Sequence, residues 1–288
     1  MLEGATALAL PINKYQSLEF ADTNEKNVLN WNAEHKNGKW FNAKFNLSSL
    51  EIISASDNPL ASRLESILKK ARGLNPDFLM STEGFQVNTN LDFLPWHGLG
   101  SSSTLINNIA EWAEIDAYEL QKITFRGSGY DIACAQSQKP LFFKIVEGKP
   151  VVEETEFKPV FSENIYFVYL GKKQRSLESI KDFRVNARYS RKEISEISDI
   201  SKSLAKCEKQ EEFEYLVEKH EKIMSGVLGR PTIKSIAFDD FKGSVKSLGG
   251  WGGDFVMMTT KMGKTDFTAY LQKKNLTTFY SFNELLIL

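Results

Sequence analysis

The spacing of hydrophobic positions along this chain switches repeatedly between two residues and about 3.6, the periods of strands and helices. Gly4 to Leu10 is small and apolar and stops at Pro11, which predicts a buried strand entering a turn. Tyr15 to Phe20, Val28 to Asn32 and Trp40 to Leu47 predict further strands. In the last, Phe41, Ala43, Phe45 and Leu47 share one face. The Asn37-Gly38 pair between two of these runs predicts a hairpin turn, since both residues tolerate positive φ. The first fifty or so residues therefore read as mostly antiparallel sheet.

Asn58-Pro59 then predicts a helix start, with Asn as cap and Pro in the first helical position. Leu60, Leu64, Ile67, Leu68 and Ala71 form its apolar stripe, and Gly73 and Pro76 close it. Phe85, Val87, Thr89, Leu91 and Phe93 alternate with polar residues as an amphipathic strand. A turn at Pro95 to Gly100 leads into a helix from about Ser102 to Ile115. Gly127-Ser128-Gly129 precedes a short helix of small residues, Asp131 to Gln136.

The pattern restarts near Asn164 with a strand, Ile165 to Leu170, and a helix, Leu177 to Tyr189. A charged stretch from Arg191 to Gln210 precedes a helix bearing Phe213, Leu216, Val217, His220, Ile223 and Met224. Gly249, Gly250, Gly252 and Gly253 cluster between Lys246 and the apolar strand Phe255 to Met258. The composition changes over residues 147–163, which divides the chain into 1–160 and 161–288.

Composition narrows the function classes. With 36 basic and 37 acidic residues in 288, the net charge of −1 offers no footprint for nucleic acid. Cys134 and Cys207 make neither a disulfide framework nor a zinc set and suit a reducing cytoplasm. No apolar run is long enough to span a membrane, and the N-terminus lacks the basic start and full apolar core expected of a signal peptide.

Three glycine turns hold the candidate chemistry. The first is Gly98-Leu99-Gly100-Ser101-Ser102-Ser103, between a strand and a helix. Such a turn presents backbone N–H groups and a helix dipole to an anion, and its hydroxyls suit a phosphate oxygen or Mg²⁺. The plain alternative is a strand-to-helix turn capped by Ser. It is not a P-loop, because the one Gly-Lys-Thr, Gly263 to Thr265, has Met258 where the first glycine belongs, and not a dinucleotide fingerprint, because Ser103 stands where the third glycine belongs. In the second, Asp131 follows Gly127-Ser128-Gly129 and suits a base for a hydroxyl; the alternative is a helix cap. The third, around Gly250 and Gly252, reads as backbone held close to a ligand, or as a bulge. Lys172, Lys173 and Arg175 form a local basic group, and the three histidines have no metal-like spacing.

In this order the turns resemble the motifs of the GHMP kinase superfamily. Pro95 to Thr104 reads PWHGLGSSST and is similar to that family's P-x-x-x-G-L-G-S-S-A-A. GSGYDIA, from Gly127, looks like the acid-bearing segment of mevalonate and phosphomevalonate kinases, and the late glycine loop resembles K-x-x-G-x-G-x-G-G.

The resemblance implies a two-domain α+β fold. Its N-terminal domain would have a left-handed β-α-β crossover and its C-terminal domain would be ferredoxin-like, with nucleotide between them. It implies ATP and Mg²⁺ as cofactors and a small-molecule acceptor, mevalonate or phosphomevalonate before a sugar. Gly98, Leu99, Gly100, Ser101, Ser102, Ser103, Gly250 and Gly252 would hold the nucleotide, Ser102 the metal, and Asp131 would be catalytic. The chain would be cytoplasmic, as a monomer or homodimer.

Two departures accompany the resemblance. Met1 to Pro11 looks like only the end of the family's first motif, so its lysine is not in this sequence. Where mevalonate kinases have a metal-binding Glu stands Gln121, with Glu119 nearby. The rival reading is a weakly catalytic nucleotide-binding protein.

Overall fold

In the computed structural model the alternating segments of the first sixty or so residues become strands β1 (Ala7–Ala9), β2 (Gln16–Thr23), β3 (Val28–His35), β4 (Gly38–Asn46) and β5 (Ile52–Ala55). The structure describes residues 1, 3–125, 127–171, 176–249 and 254–287. Helix α1 (Asn58–Leu74), strand β6 (Gly84–Leu91) and helices α2 (Ser101–Trp112), α3 (Ala117–Thr124) and α4 (Tyr130–Ala135) follow. Next come β7 (Leu141–Val146), β8 (Lys149–Glu154), β9 (Ile165–Tyr169), α5 (Ser176–Asn186), α6 (Arg191–Leu204), α7 (Gln210–Leu228) and α8 (Ile233–Ala237). The chain closes with β10 (Ser244–Ser247), β11 (Phe255–Thr259), α9 (Lys264–Lys273), β12 (Phe279–Ser281) and α10 (Phe282–Leu285).

Contacts gather these elements into two units: Lys14–Gln136, and Met1–Asn13 together with Ser137–Leu288. The division therefore differs from the one read at residue 160. Strand β1 pairs with β7 and also packs on α6, so the three-stranded sheet β1-β7-β8 groups with the C-terminal elements.

Within Lys14–Gln136 the sheet order is β2-β6-β3-β4-β5, with β3 and β6 parallel and the other neighbours antiparallel. The period-two pattern of β4 translates directly. Phe41, Ala43 and Phe45 are buried while Asn42 and Lys44 face solvent. They join Trp31, Leu64, Leu68, Ile106 and Ile109 in one core between sheet and helices.

Two local readings shift by one position. His35 pairs with Gly38, so the hairpin turn is Lys36-Asn37 and Gly38, at φ 111°, is the first residue of β4. The cap of α1 is Asp57, whose Oδ1 accepts from Leu60 N–H at 2.9 Å; Asn58 is already helical.

The remaining unit contains a second sheet, ordered β10-β11-β9-β12 and antiparallel throughout. Its chain order is strand, helices, strand, strand, helix, strand. The central strand β11 is buried along its whole length, as its apolar run requires. Tyr166 stacks on Phe267 at 4.3 Å beneath this sheet. The charged stretch after Arg191 forms helix α6, begun by a capping box between Ser190 and Glu193.

One anchor of the Lys14–Gln136 unit has no apolar signature. The guanidinium of Arg72 donates to the carbonyls of Leu47 and Ser48 at 2.7 Å each and of Phe78 and Leu79 at 3.1 Å each. It ties the end of α1 to the loops on either side, and burial holds its pKa below the ordinary value. Arg72→Met keeps the packing stem but strands several acceptors. A loss of about 1–3 kcal/mol in urea denaturation is expected.

Candidate active site

The first glycine turn begins just past β6. Gly98 and Gly100 take φ of 73° and 86°, and Gly100 is the N-cap of α2. A left-handed residue there is cheap only for glycine. Because Gly100 has no side chain, nothing caps the helix. Ser103 and Thr104 N–H groups both donate to Gly100 O, at 2.9 and 3.0 Å. The N–H groups of Ser101 and Ser102 meet no acceptor among the described residues. The serines thus start the helix rather than cap it, and two bare donors sit at its positive end. Ser102 is exposed, Leu99 and Ser101 half-buried and Ser103 buried.

This end of α2 is held firmly. Thr104 Oγ1 donates to Gln16 Oε1 at 2.6 Å, and Asn108 Nδ2 donates to Gln16 O at 2.8 Å. Both bonds fix α2 to β2.

Helix α4 repeats the device. Gly129, at φ 89°, is its N-cap, again with no side-chain cap. Asp131 is the second helical residue, so its carboxyl is not spent as the cap. Protein crowding strips water from that carboxyl and pushes its pKa from 3.8 up to about 6, opposed by a hydrogen bond from Tyr130. The residue keeps part of its surface accessible. Cys134, one turn further, is pushed up to about 12 by burial and by the Asp131 charge, which makes its thiol inert. Helix α4 packs on α2, and Gln136 Nε2 donates to Asn107 Oδ1 at 3.0 Å. The bare end of α2 and Asp131 therefore belong to one rigid helix pair.

Helix α3 backs the second glycine turn. Tyr118 lies where a side chain on Gly129 would stand, 2.9 Å from an ideal Cβ. Gln121 Nε2 lies 3.1 Å from the equivalent point on Gly127. Gln121 is 5% exposed, and its Oε1 has no hydrogen-bond partner among the described residues. Glu119 points outward. The sequence marks the glycines, and marks Gln121 only as standing where the resemblance expects a metal-binding Glu; for the packing of Tyr118 and Gln121 against this turn, their spacing of three on a helix was the available signal.

Of the third glycine motif, Gly250 and Gly252 lie outside the described residues, as do Lys172, Lys173 and Arg175. Lys246, which opens that motif, turns into its own unit. Its Nζ lies 3.1 Å from His220 Nδ1 and 3.3 Å from Glu221 Oε1, while Glu221 Oε2 accepts from Ser247 N–H at 3.2 Å. Burial and the Lys246 charge push His220 down to about 4, so its ring is neutral and accepts from the ammonium. His220 shares the α7 face of Phe213 and Val217, as its place in the sequence suggested, and is also part of an ionic cluster bracing β10 on α7.

Comparison with known proteins adds the fold's relatives. No family model and no curated protein matches the chain. Among solved structures, Methanococcus jannaschii mevalonate kinase superposes with a TM-score of 0.66 at 18% identity, over 100% of this chain and 93% of that one. Streptococcus pneumoniae phosphomevalonate kinase, in complex with phosphomevalonate and AMPPNP, gives 0.66 at 14% identity, over 96% and 93%. Lactococcus lactis galactokinase, complexed with galactose, gives 0.64 at 9% identity, over 99% and 88%. The chain has the GHMP kinase fold.

The residues around the first two glycine turns suit a magnesium nucleotide. No group of three His, Cys, Asp or Glu side chains among the described residues makes a metal cage. Mg²⁺ that arrives on phosphates and keeps its waters asks for only one or two hard oxygens. The exposed Ser102 hydroxyl and the Asp131 carboxylate are of that kind. No helix of the described residues is long and apolar enough to cross a membrane.

Two substitutions separate conformation from chemistry at the first turn. No atom lies within 4 Å of an ideal Cβ on Gly100, so the cost of Gly100→Ala is backbone strain, about 1–2 kcal/mol in urea denaturation. The Ser102 hydroxyl makes no hydrogen bond among the described residues, so Ser102→Ala is expected to change stability by less than about 0.5 kcal/mol. Its effect is expected in Mg²⁺-AMPPNP affinity, read by calorimetry.

Proposed function

We propose that the chain is an ATP- and Mg²⁺-dependent small-molecule kinase. It transfers the γ-phosphoryl group to a hydroxyl of a small acceptor, mevalonate or phosphomevalonate in preference to a sugar. The observation that supports this best is the packed pair α2 and α4, with two bare N–H donors on one helix and a desolvated carboxyl on the other. Mevalonate and phosphomevalonate kinases among the similar structures support the choice of acceptor. We place the left-handed crossover and the ferredoxin-like character of the C-terminal domain in the same proposal, along with phosphate contacts from Gly250 and Gly252.

In this reading the N–H groups of Ser101 and Ser102 and the dipole of α2 bind phosphate oxygens. The Ser102 hydroxyl would help hold Mg²⁺, whose charge would offset that of the phosphates. With a pKa of about 6, Asp131 is largely ionised at pH 7 and accepts the acceptor's hydroxyl proton. The freed oxygen forms the new bond to the γ-phosphorus, and ADP departs with the electrons of the broken bond. Most of the rate advantage comes from positioning on a rigid helix pair.

An ATP-consumption assay against mevalonate, phosphomevalonate and galactose tests the activity. Turnover of one of the first two is expected; turnover of galactose alone moves the assignment to a sugar kinase. Nucleotide binding with no turnover of any of the three favours the weakly catalytic alternative.

Asp131→Asn is expected to slow transfer by about 10²–10⁴ with nucleotide affinity unchanged. In the parent, kcat is expected to fall as pH drops through about 6, because the base becomes protonated. Stability moves the other way. Between pH 3.8 and about 6 native Asp131 keeps a proton that the unfolded chain has released, so its contribution to stability falls as pH rises. Asp131→Asn is therefore expected to melt above the parent at pH 8, with that difference vanishing below about pH 4 in thermal scans.

A further inference from the structure

Gln121 is the one buried amide beside the Asp131 turn whose oxygen the described protein leaves without a partner. A buried acceptor without a donor costs a fold stability, about as much as a lost hydrogen bond. The surroundings do not excuse the cost. Gln121 is packed from helix α3 against Gly127, where an added side chain would crowd the amide, its Nε2 lying 3.1 Å from an ideal Cβ. One turn earlier Tyr118 packs the same way against Gly129. Both contacts brace the segment that delivers Asp131 to the second position of α4. An amide so placed, with its oxygen unsatisfied, is set for a donor that is not part of the chain.

We propose that Gln121 Oε1 accepts a hydrogen bond from a hydroxyl of the acceptor molecule, and that Gln121 is a specificity-determining residue for an acceptor bearing a second alcohol group besides the one phosphorylated. The inference rests on the kinase reading given above and names the substrate class of the same site. An alcohol matches the chemistry: it donates to Oε1 and can accept from Nε2. A Mg²⁺ ion matches it less well, since the amide is neutral and Mg²⁺ favours charged, hard oxygen ligands. A site that hydrogen-bonds a substrate hydroxyl also rejects analogues lacking it, because they leave its polar groups unpaired.

The test uses the full chain and Gln121→Met, which keeps the length and removes the amide. Melting temperatures are measured without ligand, with Mg²⁺-AMPPNP, and with mevalonate, phosphomevalonate or galactose. Without ligand the variant is expected to melt about 2–4 °C above the parent, because an unsatisfied buried group is gone. The nucleotide is expected to shift both proteins equally. An acceptor is expected to shift the parent but not the variant, and its KM to rise at least about tenfold in the variant while that of ATP stays put. Gln121→Glu, which restores an oxygen of the same reach, is expected to recover part of the acceptor-dependent shift. A variant that melts at or below the parent overturns the proposal, since the amide is then structural. So does an acceptor panel that shifts the parent no more than the variant, or a lost Mg²⁺ dependence with acceptor affinity intact. Failure of the kinase reading is separate: Mg²⁺-AMPPNP would then shift neither protein.

Discussion

Two glycines in the left-handed conformation, Gly100 and Gly129, set the terms for everything at the site. Helix α2 needs its first N–H groups satisfied, and most helices of this kind use a Ser, Thr, Asp or Asn side chain to do so. Here the capping position is occupied by a residue with no side chain, although three serines follow it immediately. Stability is forgone at that end, and the positive pole of the dipole is left facing outward. Helix α4 repeats the arrangement, which frees Asp131 from capping and lets the helix bury it instead. Because α2 and α4 pack together, the two exposed ends keep a fixed relation.

The same logic of local cost runs through the neighbouring residues. Asp131 is ionised near neutral pH against the desolvation that raises its pKa, and Gln121 keeps an unsatisfied oxygen in a buried place. Both are destabilising choices for a fold and useful ones for binding a ligand. The contrast is with Arg72 and with the Lys246–Glu221–His220 cluster, where each buried polar group finds its partners inside its own unit. Those groups consolidate structure; the ones beside Gly127 and Gly129 do not.

Much of this was legible in the sequence. The alternation in Phe41 to Leu47 gave a strand with the expected face buried, and the order of three glycine turns pointed to the fold. What escaped was of three kinds. Caps were misassigned by one residue at Asp57, because Asn58-Pro59 is an equally good local signal. Helix α6 was passed over for its charge, although Ser190 and Glu193 spell a capping box. Contacts between distant residues left no trace: nothing local ties Lys246 to Glu221, 25 residues away, or assigns β1 to the sheet of β7 and β8. The glycines at 127 and 129 were visible, and Gln121 as a departure from a metal-binding Glu, but the packing of Tyr118 and Gln121 on those glycines emerges only when α3 is folded against them.

The central claim is that the uncapped start of α2 is a phosphate site, and a crystal structure grown with AMPPNP and Mg²⁺ tests it most directly. The account requires phosphate oxygens about 2.7–3.2 Å from the N–H groups of Ser101 and Ser102, with Mg²⁺ on the Ser102 hydroxyl side. An ordered nucleotide whose phosphates lie away from those two amides would contradict it.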